Sequence, residues 1–427
     1  MRPVEYVEVR QFSNQSHQET AMTDETDSGP RAASPNPPAR SPAGFMLAIT
    51  GLVLMLAGAS APSPFYPVLQ TQIGFSSAMM TGIFAIYAGA LLVTLLVFGR
   101  LSDHLGRRPV LSVGFVLLAL GMLEFLWADT AMALLLARVL QGLASGLLIS
   151  TLSASSTDHE PSARPGLAAV WNAVAPLAGL AVGALAGGAL LAYAPAPRLV
   201  TFLGLALIYG LLAVLVWLPP ETAPRHEGIL ASLRPQVSVP PHIRTAFRRG
   251  APAVLAGWGT GSLFLSLGAP IVAQVFEVHT ALAQGAIVAL LSGTGAASCY
   301  ATRNLAPRRI ALLGTDGLVL GTVLSLAALA TGSFALYLAS VFIAGIGFGT
   351  CFAGVLRSLA PLAAPDERGG LFAALFTLAY SAFGVPAVLA GLAVPELGLR
   401  LTTEIYGAVI IALALGAGLM RRQAEPA

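Results

Sequence analysis

One arginine stands out among the residues that could do chemistry, because it lies inside a long apolar run. Arg138 is followed one helical turn later by Gln141. An arginine at membrane depth costs at least about 2.5–3.5 kcal/mol on insertion scales, so it should face protein, water or an acid instead of lipid. Its planar fork can bind a carboxylate or carbonyl at two points. Arg138 is therefore the strongest functional candidate, and the alternative is an arginine that snorkels or fixes packing.

Several kinds of chemistry are excluded by what the sequence lacks. All 23 basic residues are arginine, whereas a Walker A loop, a pyridoxal Schiff base and a Ser-x-x-Lys nucleophile each need a lysine. The six histidines lie in the N-terminal tail or between apolar runs, and H-E-x-x-H, C-x-x-C and G-x-S-x-G do not occur. Cys299 and Cys351 lie inside apolar runs, which favours packing over a disulfide. The sequence predicts no enzyme, no metal site and no cofactor.

The composition indicates which elements must position these residues. Of 427 residues, 56% are apolar and 10% are charged, whereas a soluble domain is about 25% charged. A spanning helix needs about 20 apolar residues. We therefore predict an all-α integral membrane protein, with the lipid bilayer as a partner and twelve spans. The spans are predicted near 44–66, 77–99, 109–128, 131–154, 165–192, 198–218, 251–275, 281–302, 309–330, 334–356, 369–394 and 401–420.

Two polar segments set the predicted domain organisation. Residues 1–43 are rich in Ser, Pro, Gln, Glu and Thr, a composition that predicts a disordered cytoplasmic tail. The longest break between spans, 219–250, divides the twelve spans into six and six, and is predicted to be a cytoplasmic linker. The remaining segments are an N-terminal bundle at 44–218, a C-terminal bundle at 251–420 and a cytoplasmic C-terminal tail at 421–427.

The arginine distribution predicts the orientation. With the tail inside, sixteen arginines fall in the inner loops and at the C-terminus, and only Arg198 and Arg400 fall in the outer loops. Arginine-rich short loops stay cytoplasmic, so both termini are predicted to be cytoplasmic, in the plasma (inner) membrane. The net charge of +3 does not indicate nucleic-acid binding, because the arginines are scattered between apolar runs.

An internal repeat supports the division into two halves. Three landmarks recur in order at nearly constant offsets, which indicates a parallel repeat of six spans. They are Arg164 and Arg368 at 204 residues, Gly142 and Gly345 at 203, and Arg107 and Arg308 at 201.

The most specific motif joins spans 2 and 3. Residues 99–109 read GRLSDHLGRRP and resemble motif A of the major facilitator superfamily, G-x-L-x-D-x-x-G-R-R/K. Glycines permit close approach and positive φ, and the acid can pair with arginine or cap a helix end. We expect a conformational latch whose contacts form in one access state and break in the other. The latch residues are Gly99, Asp103, Gly106, Arg107 and Arg108.

Two weaker motifs fit the same family. The residues around Arg138 resemble motif B, and the glycines of span 5 resemble motif C of the drug:proton antiporter branch. Ala184 stands where motif C has proline, which departs from that branch. Small residues four apart also permit close helix contact. The predicted packing residues are Gly142, Gly146, Gly179, Gly183, Gly187 and Gly188.

The resemblance implies two pseudo-symmetric six-helix bundles around a cavity that opens alternately to each side. In this family, spans 1, 4, 7 and 10 line that cavity. A cavity with one arginine and otherwise Ser, Thr and aromatic side chains suits apolar or amphipathic molecules better than a sugar. The residues expected to bind a small-molecule substrate are Thr50, Arg138, Gln141, Ser145, Trp258, Ser262, Ser266 and Thr350.

The sequence thus favours a secondary active transporter that acts as a monomer and exports such compounds. Two alternatives stay open: an uptake carrier or facilitator for a small metabolite or sugar, and a receptor of the same fold that transports nothing. Proton coupling would need a carboxyl at membrane depth, and span 1 has none. The candidate proton carriers are Asp316 in span 9 and Glu124 in span 3.

Overall fold

A computed structural model describes residues 40–223, 233–235, 237–364 and 367–423. Nearly all of the predicted N-terminal tail, part of the linker and the last four residues lie outside these ranges. Twelve long helices, named α1 to α12, run through the described part of the chain. They are Pro42–Ser60 (α1), Ser77–Phe98 (α2), Arg107–Trp127 (α3), Ala131–Asp158 (α4), Leu167–Tyr193 (α5), Pro197–Leu215 (α6), Arg244–Gln274 (α7), Ala281–Ala301 (α8), Pro307–Thr331 (α9), Phe334–Leu359 (α10), and the two parts of Arg368–Gln423 before and after Gly398 (α11 and α12).

The helices are long enough and apolar enough to cross a bilayer. Within the described residues, eleven continuous helices meet that requirement. The last of them, Arg368–Gln423, contains a non-helical residue, Gly398, at φ +78°. Glycine adopts positive φ at little cost, so the chain turns there and the segment supplies two spans. The predicted twelve-span all-α membrane fold is confirmed.

Four helix starts repeat with the period found in the sequence. Ser76 caps α2 and Thr280 caps α8, 204 residues later. Thr130 caps α4 and Ser333 caps α10, 203 residues later. In each case the side-chain oxygen accepts a hydrogen bond from the backbone N–H three residues on, which satisfies one of the open donors of the first turn. The two halves therefore begin equivalent helices with equivalent caps.

Helix ends differ from the predicted spans where charge interrupts the apolar run. Helix α7 begins at Arg244, inside the predicted linker, and continues to Gln274. The arginines at its start mark the edge of the apolar region, but they do not stop the helix, because arginine has high helix propensity. After α1, a short 3-10 turn at Ser63–Phe65 and a helix at Tyr66–Ile73 carry the chain beyond the predicted end of span 1.

The buried side chains form one large core in each half. The N-terminal core extends from Phe45 to Val216, and the C-terminal core from Ile243 to Ala417. The halves meet along two helix pairs, α5 with α8 and α2 with α11. Glycines let backbones touch there: a Cβ added to Gly188 would lie 2.9 Å from the carbonyl oxygen of Ala281.

Glycine-rich faces also bring helices together inside each half. Added Cβ atoms on Gly179, Gly183 and Gly187 of α5 would collide with backbone carbonyls of α1 and of Ala61, the residue that follows it. Gly142 and Gly146 of α4 lie equally close to the backbone of α2. Close approach of this kind is how small residues four apart stabilise helix pairs in membranes.

Candidate functional site

Arg138 lies inside the N-terminal half, with its side chain only 1% exposed. Its Nε donates to the Tyr66 hydroxyl at 2.6 Å, and its Nη1 donates to the carbonyl of Ala59 at 2.9 Å and to Oε1 of Gln141 at 2.7 Å. Gln141 in turn donates to the carbonyl of Gly58 at 2.7 Å. The last-turn carbonyls of α1 have no partner within that helix and form the negative end of its dipole. Arg138 and Gln141 thus bind the end of α1 to α4.

The buried charge of Arg138 is enclosed by aromatic rings. Four ring centroids lie 5.3–5.5 Å from its Cζ, which is within cation–π range. In the described part of the chain, its Nη2 has no hydrogen-bond partner. The positive charge of Arg138 is therefore stabilised by uncharged hydrogen-bond acceptors and aromatic rings. The four rings belong to Tyr66, Phe84, Tyr87 and Phe125.

A second group of rings lies where α7, α10 and α11 meet. The Trp258 ring centroid is 4.8 Å from that of Tyr380, 5.6 Å from Phe352 and 6.3 Å from Phe383, all in edge-to-face arrangements. Phe376 lies 5.9 Å from Phe352 and 6.3 Å from Tyr380. We call these five side chains the aromatic cluster. Such pairs stabilise packing beyond the area they bury.

Tyr87 joins the two groups. Its ring is one of the four around Arg138, and its hydroxyl donates to the Ser145 hydroxyl at 3.4 Å. It also packs against the buried patch formed by Ala88, Leu91 and Tyr380. The charged group of the N-terminal half and the aromatic cluster of the C-terminal half therefore meet at the α2–α11 contact.

Three hydroxyl groups that were predicted to bind substrate already donate hydrogen bonds to backbone carbonyls. Ser262 donates to the carbonyl of Phe383 at 2.6 Å, which ties α7 to α11. Ser266 and Thr350 each donate to the carbonyl four residues earlier in their own helix. Thr50 is exposed on α1. The structure thus brings Arg138, Gln141 and Ser145 together in one half and Trp258 and Ser262 in the other.

The residues resembling motif A form a charged network in the N-terminal half. Arg107 pairs with Asp103 and, through Nε at 3.2 Å, with Asp158 at the end of α4. Thr222 donates to the same Asp158 oxygen at 2.7 Å. Arg108 donates through Nε to the carbonyl of Pro219 at 2.8 Å. The start of α3 is therefore bonded to the loop after α2, to the end of α4 and to the segment that follows α6.

Glu221 binds the start of α3. Its two carboxylate oxygens accept the backbone N–H groups of Arg107 at 2.8 Å and Arg108 at 3.1 Å. Gly106 has φ +99°, and a Cβ there would lie 2.8 Å from the Glu221 carboxylate, so only glycine fits this turn. Burial raises the pKa of Glu221, but backbone N–H groups including those of Arg107 and Arg108 outweigh burial and hold the pKa below its ordinary value.

The two candidate proton carriers have different surroundings. Asp316 accepts a hydrogen bond from Arg422 at 2.6 Å, and both side chains are 56% exposed. Glu124 is half-buried on α3, one residue before Phe125 of the Arg138 group. The two carboxyls thus lie in different halves, and Asp316 lies at the end of the helices where the chain terminates.

Sequence reasoning missed most of the aromatic residues. Phe376 and Phe383 are spaced i and i+7 on α11 and lie on the same helix face as Tyr380, so a search for aromatic stripes would have found them. Tyr66, Phe84 and Phe125 come from three separate elements, and no local pattern joins them to Arg138.

The fold and these contacts define a polytopic helical membrane protein built from two similar six-helix halves. The sequence profile of the Major Facilitator Superfamily matches residues 48–388. The chain belongs to this superfamily. This superfamily consists of membrane transporters and not of enzymes.

Relatives of known name are similar over only part of their length. An uncharacterised MFS-type transporter of Mycobacterium tuberculosis is 32% identical over 147 residues, which are 34% of this chain and 24% of that protein. Multidrug resistance protein MdtL of Klebsiella pneumoniae is 26% identical over 207 residues, or 46% of this chain and 49% of that protein. The matched region thus spans a quarter to a half of these two relatives.

Solved structures agree over nearly the whole chain. A bacterial homolog of the human lysosomal transporter Spinster, in an inward-facing and unoccupied conformation, superposes with a TM-score of 0.70 at 15% identity. The match covers 90% of this chain and 98% of that one. At this level of identity the likeness establishes the shared fold.

Proposed function

We propose that this protein is a secondary active transporter that exports small apolar or amphipathic compounds by alternating access. The observation that carries this proposal is the meeting of the two halves at the aromatic cluster. There, Ser262 bonds to a backbone carbonyl, and the Ser266 and Thr350 hydroxyls are bound within their own helices. A sugar would need free hydrogen-bonding groups, whereas rings suit apolar molecules. The name of the MdtL relative is in keeping with export.

Everted membrane vesicles test this function. A panel of fluorescent compounds is offered with and without a proton gradient, and vesicles lacking the protein serve as the control. The proposal expects accumulation of apolar or amphipathic compounds that collapses when the gradient is removed. Flux only from the opposite face would identify an uptake carrier, and no flux of any compound would favour a receptor.

The proposed site combines both groups around Tyr87. Arg138, Gln141 and Ser145 fix α1 and α2 on one side, and Trp258 presents its ring on the other. Thr50, Ser262, Ser266 and Thr350 complete the proposed set of substrate-binding residues. We expect the protein to work as a monomer, without nucleic-acid partners, because each half supplies one wall.

The orientation is a separate proposal. The arginine bias places both termini, His104 and the segment 219–250 on the cytoplasmic side of the plasma membrane. Single cysteines at positions 104 and 237 should react with a membrane-impermeant thiol reagent only in everted vesicles. Labelling of intact cells at either position would reverse the topology.

A further inference from the structure

The aromatic cluster presents two polar groups that no protein atom binds. Within the described residues, neither the indole N–H of Trp258 nor the hydroxyl of Tyr380 has a hydrogen-bond partner, although Tyr380 is only 8% exposed. Neither atom is among the fully buried polar atoms without a partner, so both donors are accessible. A ligand with an acceptor atom, or a water, can accept a hydrogen bond from either group. The two unmet groups belong to the closest ring pair of the cluster, at 4.8 Å.

The helices around the aromatic cluster offer no acidic partner for a cationic ligand. The helices that supply the rings, α7 and α10, contain no Asp or Glu, and the acid of α11, Glu396, lies sixteen residues beyond Tyr380. A cation bound here would therefore be buried without a counter-ion, which is costly. The guanidinium of Arg138, 5.5 Å from the centroid of the Tyr87 ring, adds repulsion.

An anionic ligand would also lack an accessible partner, because the nearby Arg138 is enclosed. Arg138 is 1% exposed, makes hydrogen bonds to Tyr66, Ala59 and Gln141, and is enclosed by four rings. Reaching it would require an anion to displace the Tyr87 ring from its hydrogen bond with Ser145. The cluster thus offers ring faces and hydrogen-bond donors, and no exposed charge of either sign.

We infer that the aromatic cluster binds uncharged planar aromatic molecules that carry a hydrogen-bond acceptor. This inference names the substrate class of the proposed transporter and so rests on that function. The ligand stacks on the Trp258–Tyr380 pair, and its acceptor atom takes the indole N–H or the tyrosine hydroxyl. Tyr87 contacts it from the other half, so binding is sensitive to how the halves are arranged.

Tryptophan fluorescence tests the inference directly. The chain has four tryptophans, and replacing Trp127, Trp171 and Trp217 by Phe leaves Trp258 as the only reporter. In nanodiscs, neutral N-phenylnaphthylamine should quench Trp258 saturably. Anilinonaphthalene sulfonate has the same rings plus an anionic group, and ethidium is a planar cation. Both should bind at least about tenfold more weakly, because the cluster offers no partner for a charged group.

Matched variants locate the binding. In the single-tryptophan protein, Tyr380→Leu and Phe352→Leu should each weaken binding of N-phenylnaphthylamine about tenfold. Phe276→Leu removes a ring from a separate pair with Tyr337 and should leave binding unchanged. Tyr380→Phe keeps the ring and removes a hydroxyl that has no protein partner, so it guards against misfolding and should weaken binding less than Tyr380→Leu.

The outcomes separate the two proposals. Binding equal among the neutral, anionic and cationic probes, or unchanged in Tyr380→Leu, would overturn the inference even if vesicles export other compounds. Selective quenching without any flux in vesicles would keep the binding site and refute transport.

Discussion

Arg138 donates a hydrogen bond of 2.7 Å to Gln141, which lies one turn further along α4. Gln141 in turn donates a hydrogen bond to the carbonyl of Gly58 at 2.7 Å, and Arg138 also donates one to the carbonyl of Ala59. A buried guanidinium is here stabilised by the end of a helix instead of a carboxylate. The position of α1 therefore depends on these two side chains.

Arg138→Lys should abolish transport and lower stability. Lysine cannot reach the Tyr66 hydroxyl, the Ala59 carbonyl and Gln141 together, because its single ammonium lacks the planar fork. The loss of hydrogen bonds from a charged group should reduce the free energy of unfolding by about 2 kcal/mol. Flux in vesicles and the Tm of purified protein measure the two effects.

Arg198→Lys is the matched control for this variant. Arg198 also donates to backbone carbonyls, those of Phe125 and Ala128, but it lies at the start of α6. Its replacement should leave flux near that of the unchanged protein. Full transport by Arg138→Ala would reduce Arg138 to a packing residue.

Asp103→Asn should slow transport while expression and Tm stay near normal. The Asp103 side chain is 44% exposed, so its pairing with Arg107 contributes little to stability. Its proposed role as a latch lies in contacts that differ between access states. Asp158→Asn provides the contrast, since Asp158 is less exposed and holds both Arg107 and Thr222. That variant should lower Tm, and unchanged flux in Asp103→Asn would refute the latch.

Acidification should destabilise the protein through His159. This side chain is 3% exposed and its Nδ1 accepts the backbone N–H of Ser41 at 3.2 Å, before α1. Burial lowers the pKa of His159 below 6.5, Asp158 and Glu221 oppose that shift, and Arg108 adds to it. The unfolded chain then binds more protons than the folded one just below pH 6.5, so the free energy of unfolding falls as pH drops through that window.

The measurement is Tm against pH, between about pH 5 and 8, where histidine titrates. His159→Asn keeps an acceptor for the Ser41 N–H and cannot be protonated, so it should flatten the curve. A variant whose Tm fell with acid as steeply as that of the unchanged protein would assign the dependence to other groups.

Glu124→Gln or Asp316→Asn should abolish flux driven by a proton gradient and spare downhill exchange, if transport is proton-coupled. The reason is that a neutral amide cannot load or release a proton. Arg422→Gln is a useful companion, because it removes the partner of Asp316 and leaves the carboxyl. If gradient-driven flux persisted in the double mutant, the proton would have to travel by another route.

The sequence predicted the fold from composition and repetition. Twelve apolar runs require spanning helices, and offsets of 201–204 residues indicate two similar halves, which the helix caps repeat. The start of α7 was misplaced, because charge at Arg248 and Arg249 marks the edge of the apolar region and not the end of a helix. The break at Gly398 depends on a positive φ that hydropathy does not report.

The candidate site was only partly predictable. Arg138 was recognised because a lone charge in an apolar run is costly. Its partners could not be predicted, since Tyr66 and Ala59 are more than seventy residues away and are selected by packing. Ser266 and Thr350 carry a polar side chain that suggests a ligand contact, yet hydroxyls in apolar helices commonly bond the carbonyl four residues earlier. Their role in substrate binding stays a prediction.

Locking the two halves together tests whether transport requires them to move against each other. A Cβ on Gly384 of α11 would lie 3.7 Å from the Cβ of Ala88 on α2, which suits a disulfide. Ala88→Cys with Gly384→Cys, in a background where Cys299 and Cys351 are replaced by Ser, permits a lock between halves. Each single cysteine is the control.

The decisive measurement is flux through this double-cysteine protein before and after oxidation. Alternating access predicts that oxidation stops transport in proportion to the cross-linked fraction, that reduction restores it, and that neither single-cysteine protein responds. Undiminished transport by a fully cross-linked protein would show that transport does not require the two halves to separate at α2 and α11.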